Sequence, residues 1–223
     1  MISRFKWYMV RFPRSVAETL QKLENYRYSE NQSRGFVVNT ATSSFEFFWP
    51  TPVYATAIDE DGQSRRSEFF SISRQQVDLL VGKKMILRMQ DPPRTLKELL
   101  NTLEDLIGFG FACEHIPITD QIISSAIADF HSVALNSVKF SGGLPNISAL
   151  ARVELVSKIG LEQKRVEEFG LQGLVIESAS YFVKLKMLSG QVGFTRTGLC
   201  KISGDLAPLI QSKIENCIME SIL

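Results

Sequence analysis

Apolar and polar residues alternate at period two through residues 181–188 (Tyr-Phe-Val-Lys-Leu-Lys-Met-Leu), the pattern of a half-buried strand. Ser189-Gly190 follows. A glycine there accepts a positive φ, so the pair predicts a two-residue turn and a hairpin in which Leu188 faces Gln191. In that register Val183, Leu185 and Met187 share one face with Val192 and Phe194. Lys184 and Lys186 share the other with Gln191, Thr195 and Thr197.

The same patterning predicts elements along the rest of the chain. Residues 5–12 read as a strand ended by Pro13, followed by a helix with Ser15 as N-cap, Glu18 closing a capping box, and Val16, Leu20 and Leu23 on its apolar stripe. Residues 29–35 read as a loop. Strands are expected at 36–39 and 44–49, the second stopped by Pro50 and Pro52. Residues 53–58 and 65–72 form a second hairpin around Asp61-Gly62, with Asp59, Glu60 and Asp61 near Arg65 and Arg66.

Ser73 and Gln76 are expected to open a helix that buries Val77 and Leu80, and residues 84–89 return as a strand. After Pro92-Pro93, Thr95 with Glu98 caps a helix over 95–107, whose Leu96, Leu99, Leu100, Leu103, Leu106 and Ile107 form a broad apolar stripe before Gly108. A strand at 109–116, a helix opened by Thr119 (Ile122, Ile123, Ala126, Ile127, Phe130), and a strand at 133–140 come next. The alternation of Ala149, Ala151, Val153, Leu155 and Ile159 predicts a strand over 149–159. A short helix at 162–169, a strand at 174–177, the basic hairpin and a last helix over 205–222, with Leu206, Ile210, Ile214 and Ile218 at spacing four, complete the chain.

These elements make an α+β protein, with helices packed on mostly antiparallel sheets. A domain boundary is expected at the loop 141–145, dividing the chain into 1–141 and 146–223. One internal echo suggests two similar modules. Strand, Asp-Gly-Gln, strand, Ser71-Ile-Ser73, helix resembles strand, Ser-Gly-Gln, strand, Lys201-Ile-Ser203, helix.

Charge changes this picture more than composition does. The 223 residues carry 25 Lys and Arg against 24 Asp and Glu. The bases are unevenly placed: residues 1–17 hold Arg4, Lys6, Arg11 and Arg14, residues 178–204 hold Lys184, Lys186, Arg196 and Lys201, and neither segment contains an acid. Setting those eight bases aside leaves 17 against 24 acids, a net charge of −7. Three cysteines (Cys113, Cys200, Cys217) without framework spacing suit a reducing, cytoplasmic setting. The charged start lacks the apolar core of a secretory signal, and no apolar run reaches the ~18 residues that span a bilayer, so no membrane association is expected.

Candidate chemistry is sparse. Cys113-Glu-His115 would put a thiol and an imidazole on one side of a strand, yet no further partner completes a nucleophilic or zinc site. Gly108-Phe-Gly110 and Gly142-Gly143 lack the remaining residues of a dinucleotide or nucleotriphosphate loop. The acidic triplet 59–61 reads as a solvated tip, and Glu154 or Glu177 beside Lys184 is the best that can be assembled toward a metal-dependent nuclease.

The basic segments are the stronger signal. Lys184, Lys186, Thr195, Arg196 and Lys201 from the hairpin region, with Arg4, Lys6 and Arg11 from the first strand, suit contacts to a phosphate backbone. Phe5, Trp7 and Tyr8 could stack on bases, but strand periodicity favours a core role for Phe5 and Trp7. The expected function is therefore non-catalytic nucleic-acid binding, with no cofactor and no metal. The alternatives are a protein-interaction subunit using the apolar stripe of helix 95–107 or 205–222, and a metal-dependent nuclease.

Overall fold

A computed structural model describes residues 2–29, 31–58, 61–143, 149–161 and 174–221. Packing divides the chain into two compact units: Tyr8–Val81 with Met85–Glu114, called here the first unit, and Met1–Trp7 with Gly82–Lys84 and His115–Leu223, called the second. Strand β1 (Ile2–Arg11) contributes residues to both. Strand β7 (Ser132–Gly143) takes in residues 141–143 of the expected boundary loop 141–145, and its last two residues, 144 and 145, lie outside the described residues.

The first unit contains α1 (Val16–Asn25), β2 (Gly35–Asn39), β3 (Ser44–Ile58), β4 (Ser64–Val81), β5 (Met85–Gln90), α2 (Lys97–Ile107) and most of β6 (Ala112–His115). Its strands follow the order β2-β3-β4-β5-β1, with β2/β3, β3/β4 and β4/β5 antiparallel. Helix α1 starts as expected: the Ser15 hydroxyl accepts from the Glu18 amide at 3.3 Å, and the Ser15 amide donates to the Glu18 carboxylate at 3.1 Å. Leu20 and Leu23 join Phe36, Phe45, Phe47, Val77, Leu87, Met89, Leu99 and Leu103 in one core.

Three expectations fail here for identifiable reasons. Pro50 and Pro52 do not stop the strand, and β3 passes through both. The Leu79 amide donates to the Ser43 carbonyl in the register that pairs β3 with β4, so odd-numbered residues of β3 aim their backbone groups at β4. Even-numbered ones, including both prolines, point to the opposite side, where β2 ends at the Gly35–Phe48 pair. A missing N–H costs no ladder bond at such an edge.

The helix expected from Ser73 is the second failure. Residues 73–81 continue β4, where Gln75, Val77 and Leu79 are buried at period two and Ser73 bonds across the strand pair to Thr51 at 2.8 Å. The Val77, Leu80 spacing fits a helix, but the Gln75, Val77, Leu79 alternation prevails because partner strands lie on both sides. Third, Thr95 and Glu98 form no capping box. The Thr95 hydroxyl accepts from Lys97, while Glu98 binds Arg34 at 2.6 Å. Gly108 does close α2, with φ +86.

In the second unit, α3 (Asp120–Ile127), β7, β8 (Leu150–Leu161), β9 (Val175–Leu185), β10 (Leu188–Thr195), β11 (Cys200–Gly204) and α4 (Ala207–Ser221) join the first residues of β1. The strand order is β1-β11-β10-β9-β7-β8, and each of these pairings is antiparallel. Thr119 caps α3 by accepting from the Ile122 amide at 3.3 Å. Ile123, Ala126 and Ile127 of α3 and Ile210, Ile214 and Ile218 of α4 are buried. The architecture is α+β with sheet dominant. The helix expected at 162–169 lies outside the described residues, and the strands expected at 174–177 and 181–188 are one strand, β9, as far as Leu185.

The hairpin turn is not Ser189-Gly190. Leu185 pairs with Leu188, so Lys186 and Met187 make the turn, with Lys186 at φ +56. Gly190 sits inside β10 opposite Val183, and a Cβ there would lie 3.0 Å from both Leu206 and Ile210. The glycine is needed for the close approach of α4. The shifted register moves partners by an even number of positions, so the face assignment survives: Val183, Val192 and Phe194 are buried, and Lys184 is exposed. The suggested module repeat fails at the same places, because Asp61-Gly62 flanks a turn while Ser189-Gly190 lies in a strand, and no helix follows Ser73.

Gly190→Ala should therefore destabilise the protein by about 1–3 kcal/mol through overpacking beneath α4, read as a lower urea midpoint. Lys186→Gly should be neutral or stabilising, because a non-glycine residue at left-handed φ costs about 1–2 kcal/mol. The reverse ranking would place the turn back at Ser189-Gly190.

Candidate nucleic-acid interface

Among the described residues, the helices of the second unit cover only one face of its sheet. Gly190 faces Leu206 and Ile210 of α4, which puts Val183, Val192, Phe194, Cys200, Ile202 and Phe5 on the helix-covered side. Trp7 follows the same parity; it is fully buried, stacks on Phe5 at 5.8 Å, and donates its indole N–H to Glu215 at 3.3 Å. The N-terminal aromatics Phe5 and Trp7 therefore belong to the core.

Residues of opposite parity line the open face. β1 supplies Arg4, β11 supplies Lys201 and Ser203, and β10 supplies Gln191, Gly193 and Thr195. β9 supplies Ser178, Ser180, Phe182 and Lys184, and β7 supplies Ser137 and Lys139. Two open troughs of about 420 and 450 Å³ lie along it and share Gln191 and Ser203. Six strands at the ordinary spacing give the face a width of about 24 Å. Its floor is small and polar, so the backbone of an extended ligand can approach closely and find hydroxyl and amide partners.

The geometry joins the two acid-free segments. Arg4 and Lys201 are direct cross-strand partners, so one base from each segment stands side by side on this face. Lys184 is exposed over Phe182, its ammonium 5.5 Å from the ring centroid, and Phe182 itself is 38% exposed. Sequence reasoning missed Lys139 and Lys158, which also line the troughs, because Lys139 is an isolated base in β7 and Lys158 shares β8 with Glu154. Lys139 is bridged to Glu154 at 3.1 Å.

The remaining sequence candidates are placed as follows. Thr195 lies on the open face, and its hydroxyl shares a 2.9 Å hydrogen bond with Thr197. Arg196 stands in the turn after β10, paired to Glu177 at 3.6 Å. Lys186 occupies the hairpin tip and not the strand face. Lys6 lies beside His115, whose pKa is lowered by partial burial and by the Lys6 charge, against a hydrogen bond from the imidazole to the Thr197 backbone. Arg11 belongs to the first unit.

The catalytic alternatives find little support among the described residues. Cys113 packs against the first unit's core, and burial, reinforced by Glu114, pushes its thiol up to about 11. Glu154 and Glu177 are each engaged by a cation, and no group of three His, Cys, Asp or Glu side chains comes together to hold a metal ion. Asp59 and Glu60 of the acidic triplet lie outside the described residues. Of the apolar stripes expected as partner surfaces, Leu206, Ile210, Ile214 and Ile218 of helix 205–222 are buried, and in helix 95–107 Leu99, Leu103 and Ile107 are buried while Leu96, Leu100 and Leu106 are half-buried. No helix among the described residues is long and apolar enough to cross a membrane.

Iodoacetamide labelling of Cys113, followed by peptide mass spectrometry, should be slow at pH 7.5. Its rate should keep rising with pH toward about 11, because the thiolate is the reacting species. A rate that levels off near neutrality would mark Cys113 as an activated nucleophile.

Protein-family models yield no match to this chain, and curated proteins yield none.

Proposed function

We propose that this protein is a non-catalytic nucleic-acid-binding protein that lays a strand across the open sheet face of its second unit. The observation that supports this most directly is the Arg4–Lys201 pair, which brings the two acid-free segments onto one face. Lys184 and Lys158 continue the positive surface on β9 and β8, and Lys139 of β7 lines the other trough while bridged to Glu154. Hydroxyl and amide groups from Ser178, Ser180, Gln191, Thr195 and Ser203 supply neutral partners for phosphate and sugar oxygens. Exposed Phe182 offers one stacking platform, which favours single strands, whose bases are free to stack. A cytoplasmic setting suits the free thiols of Cys113, Cys200 and Cys217.

Compared with the sequence expectation, the proposed site keeps Arg4, Lys184, Thr195 and Lys201 and adds Lys139 and Lys158. Lys6 and Arg196 become flanking positions, and Lys186 and Arg11 leave it.

Binding of a fluorescent oligonucleotide should weaken with salt. About four phosphates neutralised on a single strand give a slope near −3 in log affinity against log salt. Lys184→Glu combined with Lys201→Glu should abolish binding without lowering the melting temperature, since both side chains are exposed. Arg11→Glu should leave the affinity little changed. Undiminished binding in the double variant would remove the open face from the reaction.

A further inference from the structure

The first unit carries a long two-stranded arm. Beyond the Trp49–Ser73 pair, β3 and β4 continue through nine further cross-strand pairs to Ile58–Ser64. Along it Val53, Tyr54, Ile58, Phe69, Phe70 and Ile72 are all exposed, from 43% for Ile72 to 75% for Ile58. By strand parity Val53 and Phe69 lie on one face and Tyr54, Ile58, Phe70 and Ile72 on the other. A lone two-stranded ribbon is marginal in water, and exposed apolar surface of this extent marks an interaction site.

The two edges of the arm differ. On the β3 side the outward-pointing positions include Pro50 and Pro52, which have no N–H to offer another strand. On the β4 side the even-numbered residues point outward. The Gly82 amide, which donates to the Lys84 carbonyl, shows this parity where β4 meets β5, and β5 reaches only as far as the Val77–Met89 pair. The backbone of Ser64 to Arg74 is therefore an open antiparallel template among the described residues, whereas the Gln76 carbonyl already accepts from the Gln75 side chain.

We propose that this edge pairs with the same edge of a second copy of the chain, antiparallel about a twofold axis at Ser71. Charge and shape select that register. It sets Glu68 against Arg74 and Phe70 against Ile72, each twice by symmetry, and all four residues lie on one face of β4. Shifting the axis to Phe70 opposes Arg66 to Arg74, and shifting it to Glu68 opposes that carboxylate to itself; both are unfavourable. Neither Glu68 nor Arg74 has an ion-pair partner among the described residues, whereas Arg66 is already stacked over Tyr54 at 4.0 Å. The paired arms form a four-stranded ribbon, and the isologous contact closes as a dimer with no further edge exposed at β4. This inference is independent of the nucleic-acid reading.

Light scattering coupled to size exclusion tests it on the full chain. The wild type should elute at twice the 25.1 kDa chain mass. Glu68→Arg and Arg74→Glu should each yield monomer, and the double charge exchange should restore the dimer. Ser71 occupies a non-hydrogen-bonded pair on the axis, so Ser71→Cys should form an intermolecular disulfide on mild oxidation, and Ser67→Cys should not. A wild-type monomer at 100 μM, by the chosen loading of roughly a hundredfold above a micromolar Kd, would overturn the proposal. So would a dimer indifferent to Glu68→Arg, or one cross-linked equally well through Ser67→Cys.

Discussion

The second unit depends on the close seating of α4 against β10. Leu206 and Ile210 approach the backbone at Gly190 so nearly that a single added carbon would collide with both. This contact fixes which side of the sheet is covered. Once Val183, Val192, Phe194, Ile202, Phe5 and Trp7 are committed beneath the helices, strand parity forces Arg4, Lys184, Gln191, Thr195 and Lys201 onto the other side. The basic face is thus a consequence of the apolar one, and the same constraint that builds the core positions the site.

Much of that arrangement was legible in the sequence because a two-residue period survives errors of register. The turn was expected at Ser189-Gly190 and lies at Lys186-Met187, yet the displacement is even in cross-strand pairing and leaves Val183, Lys184, Gln191, Val192 and Phe194 on their expected faces, while Lys186 and Met187 move to the tip, where Met187 is exposed. What could not be read was the role of Gly190. A glycine required by a helix folding back from residues 206–210 looks the same in sequence as a glycine required by a turn. Lys186 in turn gives no local sign that it will adopt a positive φ.

The first unit shows the same limit. Pro50 and Pro52 ordinarily end a strand, and only the knowledge that β2 stops at Gly35 reveals that their missing amides face an empty edge. Ser73 and Gln76 resemble a helix start because capping signals are short, while the strand partners that override them, Trp49 and Glu46, lie more than 20 residues away. Caps whose partners are local, such as Ser15 with Glu18 and Thr119 with Ile122, were read correctly. Where Glu98 has a distant alternative in Arg34, the local expectation failed.

Electrostatics ties these observations to the proposed function. A net charge near zero conceals a sheet face on which two basic segments, distant in sequence, become neighbours through β1 and β11. Among the described residues, its small polar floor and the exposed Phe182 suit the proposed flexible anionic chain better than a compact ligand. The most direct test is an NMR titration of the isotopically labelled protein with a single-stranded oligonucleotide, following backbone amides. The account predicts shift changes concentrated at Lys184, Gln191, Gly193, Thr195 and Lys201, fading with added salt. Changes confined to residues of the first unit, or none at all, would contradict it.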